Sequence, residues 1–249
     1  MSELLIDLGN TRLKWRLQHH GLVQSYGAMP TCNLSLEQLH ACLPASFDAL
    51  FLASVANREK NSLLETWLIE KQIPCNRFST QASFKDLINA YRQPSLLGVD
   101  RWLAMVAARQ LSQEAVCVVD CGSAITFDYI RADGRHEGGY IIPGARLMVQ
   151  ALTRDTANIN ICAPKSNAAS ADIQSSPVPG TSTFDAVSFG CHKMALHGVR
   201  ALIKEAQLNG YGILLCGGDG EKIANELGLT YIEGLVLNGI AEVAELDKH

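Results

Sequence analysis

Paired cysteines are missing from this chain: its eight cysteines, at 32, 42, 75, 117, 121, 162, 191 and 216, never form a CxxC step. Without CxxC or paired His spacings a zinc site has no ligand framework, and the spacings do not suit a disulfide scaffold either. Several cysteines lie inside apolar runs, as in AVCVVDCG and ILLCGG, and are expected to be small buried hydrophobes in a reducing cytosol. No block of Lys or Arg exceeds two residues and the net charge is −4. The chain therefore lacks the positive face on which non-specific nucleic-acid binding depends. No segment approaches the ~18 apolar residues of a membrane span. The N-terminus has no basic region, and Glu3 and Asp7 break its apolar stretch, which argues against a signal peptide. The expectation is a cytoplasmic protein without membrane or nucleic-acid partners. Two nucleotide signatures are absent as well. The lack of GxxxxGK[ST] excludes a P-loop enzyme, and the lack of GxGxxG disfavours dinucleotide binding.

What is present is ordinary in bulk and informative in pattern. The 249 residues, 47% hydrophobic and 18% charged, suit one large globular domain or two smaller ones. Alternation and short apolar runs predict strands near 4–8, 12–18 and 49–55. Helical spacing follows at 57–72, 83–91 and 100–111. The pattern then restarts, with strands at 115–121, 124–131 and 136–142 and a helix opened by Pro143 and Gly144. Residues 163–183 are polar with three prolines and read as a long loop. A long helix, a strand ending in CGGDG, a short helix closed by Gly228 and a final helix complete the chain. Gly190 and Gly198 lie inside the long helix, where each costs about 1 kcal/mol against Ala. Close approach of another backbone is the expected compensation. Mixed strands and helices, with hairpin-like triplets at the start of each half, indicate an α/β class with an antiparallel portion in each sheet. The expected halves are 1–114 and 115–249.

Two stretches repeat one design. LLIDLGNTRLKWRL and VCVVDCGSAITFDYI each run from an apolar strand through Asp, one residue, Gly and a small polar residue into a second strand. Glycine lets backbone N–H groups approach a ligand closely. Asn10, Thr11 and Ser123 can donate to phosphate oxygens, and Asp7 and Asp120, each where a buried strand emerges, can hold a cation or its water shell. The same pattern also suits an ordinary hairpin turn. In CGGDG, Gly217 and Gly218 would let a flat ring or a ribose lie against the main chain, or simply form a tight strand-to-helix connection. In LLGVDRW, Asp100 and Arg101 open a helix after Gly98. A carboxylate there is stabilised in its charged form and can accept the proton of an attacking hydroxyl; a plain helix cap is the competing reading.

Taken together, DLGNT, GVDRW, DCGSAIT, GGYIIPG, TSTFDAVSFG and CGGDG, in this order along nearly the whole chain, resemble the type III pantothenate kinases of the actin-like/Hsp70-like/sugar-kinase superfamily. The resemblance implies two ribonuclease-H-like domains of the actin-like ATPase kind, with mixed sheets flanked by helices and the active site in the cleft between them. It implies transfer of phosphate from ATP to pantothenate, giving 4′-phosphopantothenate at the entry to coenzyme A synthesis. It also implies a homodimer that uses Mg²⁺ and K⁺ or ammonium.

Residue by residue, the resemblance places Asp7, Leu8, Gly9, Asn10, Thr11, Arg12, Leu13 and Lys14 along the ATP phosphates, with Asp7 near Mg²⁺ through water. Asp100 matches the catalytic base, and Gly98, Val99 and Arg101 match its pantothenate-contacting neighbours. Asp120 would hold the monovalent cation and Ser123 would touch ATP. Tyr91 and Thr183 would contact pantothenate, Thr183 across the dimer. Gly217, Gly218 and Asp219 would lie near the adenosine. Ser123 and Cys216 stand where many relatives have Thr; the first keeps the hydroxyl and the second loses it. A sugar kinase of the same superfamily and a non-catalytic nucleotide-binding regulator of transcription are the alternative readings.

Overall fold

The structure, a computed structural model, describes residues 1–155 and 178–246. Cys162 and most of the proline-bearing loop expected over 163–183 lie outside the described residues. In chain order the elements are β1 (Ser2–Leu8), β2 (Arg12–His19), β3 (Leu22–Pro30), α1 (Leu36–Cys42), β4 (Ala49–Ser54), α2 (Arg58–Lys71), β5 (Cys75–Arg77), β6 (Ser83–Phe84), β7 (Leu87–Ile88) and α3 (Val99–Leu111). There follow β8 (Val116–Cys121), β9 (Ala124–Ile130), β10 (His136–Pro143), α4 (Ala145–Asp155), α5 (Thr183–Leu208), β11 (Gly212–Cys216), α6 (Gly220–Leu227) and α7 (Leu235–Leu246). The chain divides into two units. One comprises Met1–Glu114, Ile130–Gly138 and Gly234–His249, and the other Ala115–Tyr129 and Gly139–Glu233.

The first unit is built on a five-stranded mixed sheet in the order β3-β2-β1-β4-β5. The β1–β2 and β2–β3 pairs are antiparallel, whereas β4 runs parallel to both β1 and β5. Alternation along β1 sends Leu4, Ile6 and Leu8 into a core shared with Leu13, Leu50, Leu52 and the α2 residues Leu64 and Trp67. The opposite face carries Leu5 and Asp7, beside Phe51 and Ala53 of β4, and it too is buried. Helices α3 and α7 pack on that side, which explains why β1 reads as an almost continuous apolar run. The two helices approach closely, because a Cβ on Gly239 would fall on the Leu103 carbonyl. Helix α2 starts at Asn57, whose side chain accepts the Lys60 N–H at 3.1 Å, and ends at Gln72 in the left-handed region (φ 54°).

The second unit holds a sheet in the order β10-β9-β8-β11, with β8 and β11 parallel. Its core joins Cys117, Val119, Ile125 and Phe127 to Val199 and Ile203 of α5 and Ile223 of α6. Burial pushes the Cys117 thiol up to about 12, as expected of a packing residue rather than a reactive one. Cys117, Cys121, Cys191 and Cys216 are buried, in line with the apolar runs around them, but Cys32, Cys42 and Cys75 are exposed; all seven are free thiols. Gly190 and Gly198 on α5 face open space, since a Cβ on either would meet nothing within 4 Å.

One predicted element is corrected. Residues 83–91 form the hairpin β6–β7 and a following strap, not a helix. Phe84, Leu87 and Ile88 fit helical spacing, but only Leu87 is buried. The backbone donors of Ile88 and Asn89 are taken by the Gly134 and Ala82 carbonyls, at 3.0 and 2.9 Å. Asp86 pairs with the buried Arg109 of α3, and that hydrogen bond holds its carboxyl below the usual aspartate range. Contacts distant in sequence here outweigh a weak local preference.

Candidate active site

Asp7, the next-to-last residue of β1, is 9% exposed, and its antiparallel partner is Lys14. Directly paired residues project to the same face with Cβ atoms about 5 Å apart, so Asp7 and Lys14 share one face at the strand end. The turn between them is tightly held. The Gly9 N–H donates to Arg12 O at 3.0 Å, and the Asn10 side chain donates to Val55 O at 3.1 Å. Thr31 donates through its hydroxyl to Asn10 O at 2.8 Å and through its backbone to Thr11 O at 2.9 Å. Asn10 and Arg12 are exposed, as residues meeting a ligand must be.

The second acidic turn has its own brace. Asp120 lies opposite Cys216 across the β8–β11 pair. Gly217 adopts φ +93°, and a Cβ there would fall on Asp120 Oδ1 and within 2.5 Å of Cys121 N and O. Only glycine serves at this point. The Asp219 N–H donates to Cys121 O at 2.8 Å and the Tyr231 hydroxyl to Gly217 O at 3.1 Å, closing the CGGDG turn against β8. Burial, followed by the carboxylates of Asp120 and Asp219, raises the Cys121 thiol. The Gly144 N–H donates to Ser123 O at 2.9 Å, and a Cβ on Gly144 would lie 2.8 Å from Gly122 O. The N-terminus of α4 is thereby fixed on the Gly122–Ser123 turn.

The start of α3 gathers the remaining first-unit candidates. The helix opens one residue earlier than its pattern suggests, at Val99, with Gly98 as an N-cap lacking a side chain. Asp100 curls back so that its Oδ1 accepts the Arg101 N–H at 2.8 Å. Arg101 is only 7% exposed. Its Nη1 donates to the Tyr91 hydroxyl at 3.0 Å and its guanidinium stands 5.8 Å from the Tyr91 ring centre. His136 stacks on Tyr91 at 6.3 Å and its Nδ1 accepts the Ala90 N–H at 3.4 Å. Tyr91, Asp100 and Arg101 are thus brought together, whereas Thr183 is an exposed residue at the start of α5 in the other unit. Gly98 has an ordinary negative φ (−54°), but a Cβ on it would lie 2.5 Å from Asp100 Oδ1. Gly98→Ala is expected to swing the Asp100 carboxylate aside with little change in Tm, which a crystal structure of the variant beside a thermal melt checks.

His136 and Lys60 escaped the sequence reading. His136 begins a strand and Lys60 lies on a charged stretch, so neither carries a distinguishing pattern.

The family profile described as type III pantothenate kinase matches residues 3–205. A type III pantothenate kinase from Hahella chejuensis is 35% identical over 252 residues, covering 98% of either chain. Among solved structures, a Campylobacter jejuni protein described as a Baf family transcriptional activator is 23% identical, with a TM-score of 0.60 over 98% of both chains. An activator of 2-hydroxyisocaproyl-CoA dehydratase from Clostridium difficile, with bound ADPNP, is 11% identical with a TM-score of 0.51, over 100% of this chain and 97% of that one. The two structures share the fold alone. The profile and the full-length relative go further: this chain belongs to the type III pantothenate kinase family.

Proposed function

We infer that the protein transfers the γ-phosphoryl group of ATP to the primary hydroxyl of pantothenate, releasing ADP and 4′-phosphopantothenate, the first step toward coenzyme A. Family membership supports the reaction. The observation that carries the assignment of roles is the start of α3, where the Asp100 carboxylate stands one residue from a guanidinium already oriented by Tyr91.

In this reading Asp100 aligns the hydroxyl and takes its proton as the oxygen joins phosphorus and the bond to ADP breaks. Arg101, with Gly98, Val99 and Tyr91 around it, holds the pantothenate carboxylate, a group that suits a guanidinium fork. The Asp7–Lys14 turn and Ser123 serve the phosphates, and Gly217, Gly218 and Asp219 the adenosine. Thr183 completes the pantothenate site of a partner subunit in a homodimer, with the open glycine face of α5 available for packing. The reaction places the enzyme in the cytoplasm with its substrates. No described helix is long and apolar enough to cross a membrane.

The metal requirement fits the donors present. Asp7 and Asp120 offer carboxylate oxygen, the ligand of hard cations. Among the described residues no three His, Cys, Asp or Glu side chains cluster as a cage. Mg²⁺ commonly takes one or two carboxylates plus substrate phosphates, so it would enter with ATP. Asp120, at the second acidic turn, is the carboxylate for the monovalent ion, K⁺ or ammonium. When bound, these ions offset charge on the phosphate oxygens; Asp7 and Asp120 orient them.

A coupled assay of ADP release with and without pantothenate, in K⁺ and then Na⁺ buffer, tests the proposal. Release is expected to depend on pantothenate and to be faster in K⁺. Release driven by a hexose and not by pantothenate would favour the sugar-kinase alternative. Nucleotide binding without any acceptor-dependent release would favour the regulator.

A further inference from the structure

Helix α2 contributes a cation that neither the sequence motifs nor the proposed roles use. Lys60 is half-buried at the third position of the helix, and its Nζ donates to the carbonyl of Asn10 in the first acidic turn. Three observations set it apart from a surface lysine. First, Lys60 stands in the first turn of α2 with Arg58 and Glu59, so two cations face one carboxylate at the positive end of the helix dipole. Second, the carbonyl it touches is already satisfied, because the Thr31 hydroxyl donates to the same Asn10 oxygen at 2.8 Å. Capping that oxygen therefore does not require a lysine. Third, an ammonium has three donors, and among the described residues Lys60 Nζ forms no ion pair with a carboxylate beside its bond to Asn10 O. Its charge and two of its N–H groups remain available at the rim of the turn.

The turn itself is fastened to the segment that leads into α2, through the Asn10 side chain on Val55 O and the Asn57 cap on the Lys60 N–H. Lys60 is thus carried on a frame that moves with Asn10 and not on a free surface stem. From this geometry we propose that Lys60 is a further phosphate-binding residue, donating to the terminal phosphates of the nucleotide held by the Gly9–Thr11 turn. The proposal rests on the reading of that turn as the phosphate site. A phosphate oxygen would then accept a charge-assisted hydrogen bond from Lys60.

The test is nucleotide affinity, read by calorimetry with the non-hydrolysable analogue AMPPNP and, separately, with adenosine. Lys60→Met is expected to weaken AMPPNP about tenfold, to leave adenosine affinity and pantothenate KM unchanged, and to flatten the salt dependence of AMPPNP binding. Lys60→Arg is expected to restore most of the affinity, and a thermal melt of each variant separates the effect from misfolding. Thr11→Val is measured alongside. If Thr11→Val weakens AMPPNP and Lys60→Met does not, Lys60 has no phosphate role and the turn keeps its own. If neither variant moves the affinity, the phosphate reading of the turn fails with it. Equal losses for adenosine and AMPPNP in Lys60→Met would also overturn the proposal, since adenosine has no phosphate to contact.

Discussion

Asp100→Asn is expected to lower kcat by about 10²–10⁴-fold, the range of a general base, while AMPPNP and pantothenate still bind. The substitution keeps size and an oxygen that can accept the Arg101 N–H, so the first turn of α3 is retained. What it removes is the capacity to take a proton. The effect should therefore fall on turnover and leave both KM values nearly alone. The base need not do most of the catalysis. Phosphoryl transfer passes through a loose transition state in most analyses, with positioning and charge neutralisation carrying much of the acceleration. A residual rate well above the uncatalysed one fits that division of labour. Turnover within a factor of a few of the parent enzyme would remove Asp100 from the base role and leave Arg101 and Tyr91 as a binding site without an assigned base.

Gly217→Ala should be strongly damaging to the second unit. Two independent costs coincide there. The φ of +93° is one that residues with a Cβ rarely adopt, and the added carbon would meet Asp120 Oδ1 and the backbone N and O of Cys121. Strain of this kind costs on the order of 1–3 kcal/mol, and forced overpacking a similar amount. Together they predict roughly 2–5 kcal/mol of destabilisation and a Tm lower by roughly 5–15 °C. Because the clash is with the Asp120 carboxylate, AMPPNP affinity and any advantage of K⁺ over Na⁺ should fall with it. Gly212→Ala, at the start of the strand that leads into Gly217, is the control. Its Cβ would find ordinary contact at 3.6 Å from Ala115 O, without a positive φ, so its Tm and affinity should stay near the parent values. Equal behaviour of the two variants would show that the Gly217 turn is not held as tightly as the geometry indicates.

Much of the architecture was legible in the chain because the relevant signals are local. The alternation over 4–8 and 12–18, the Asp–x–Gly turns behind apolar strands and the Gly228 cap each reflect backbone preferences that act within a few residues. They placed β1, β2, β8, β9 and α6, and they marked Asp7, Asp120 and Gly217 as positions worth inspecting. The strap over 83–91 was not legible in this way. Its apolar spacing suits a helix and a hairpin alike, and the decision came from Arg109, Ala82 and Gly134, residues that no window around Leu87 contains. The same holds for His136 behind Tyr91 and for Lys60 at the Asn10 carbonyl.

By itself, then, the sequence determined the class of fold, the repeated acidic turns and the family, since these depend on residue types at short, fixed spacings. Tertiary structure alone decided which cations reach which turn, how Tyr91 and His136 orient Arg101, and that α7 packs on α3 beside the first sheet. The physical reason is one of range. Backbone preference and side-chain alternation act between neighbours in the chain, whereas a hydrogen bond or a packed face joins residues that are neighbours only once the chain has folded.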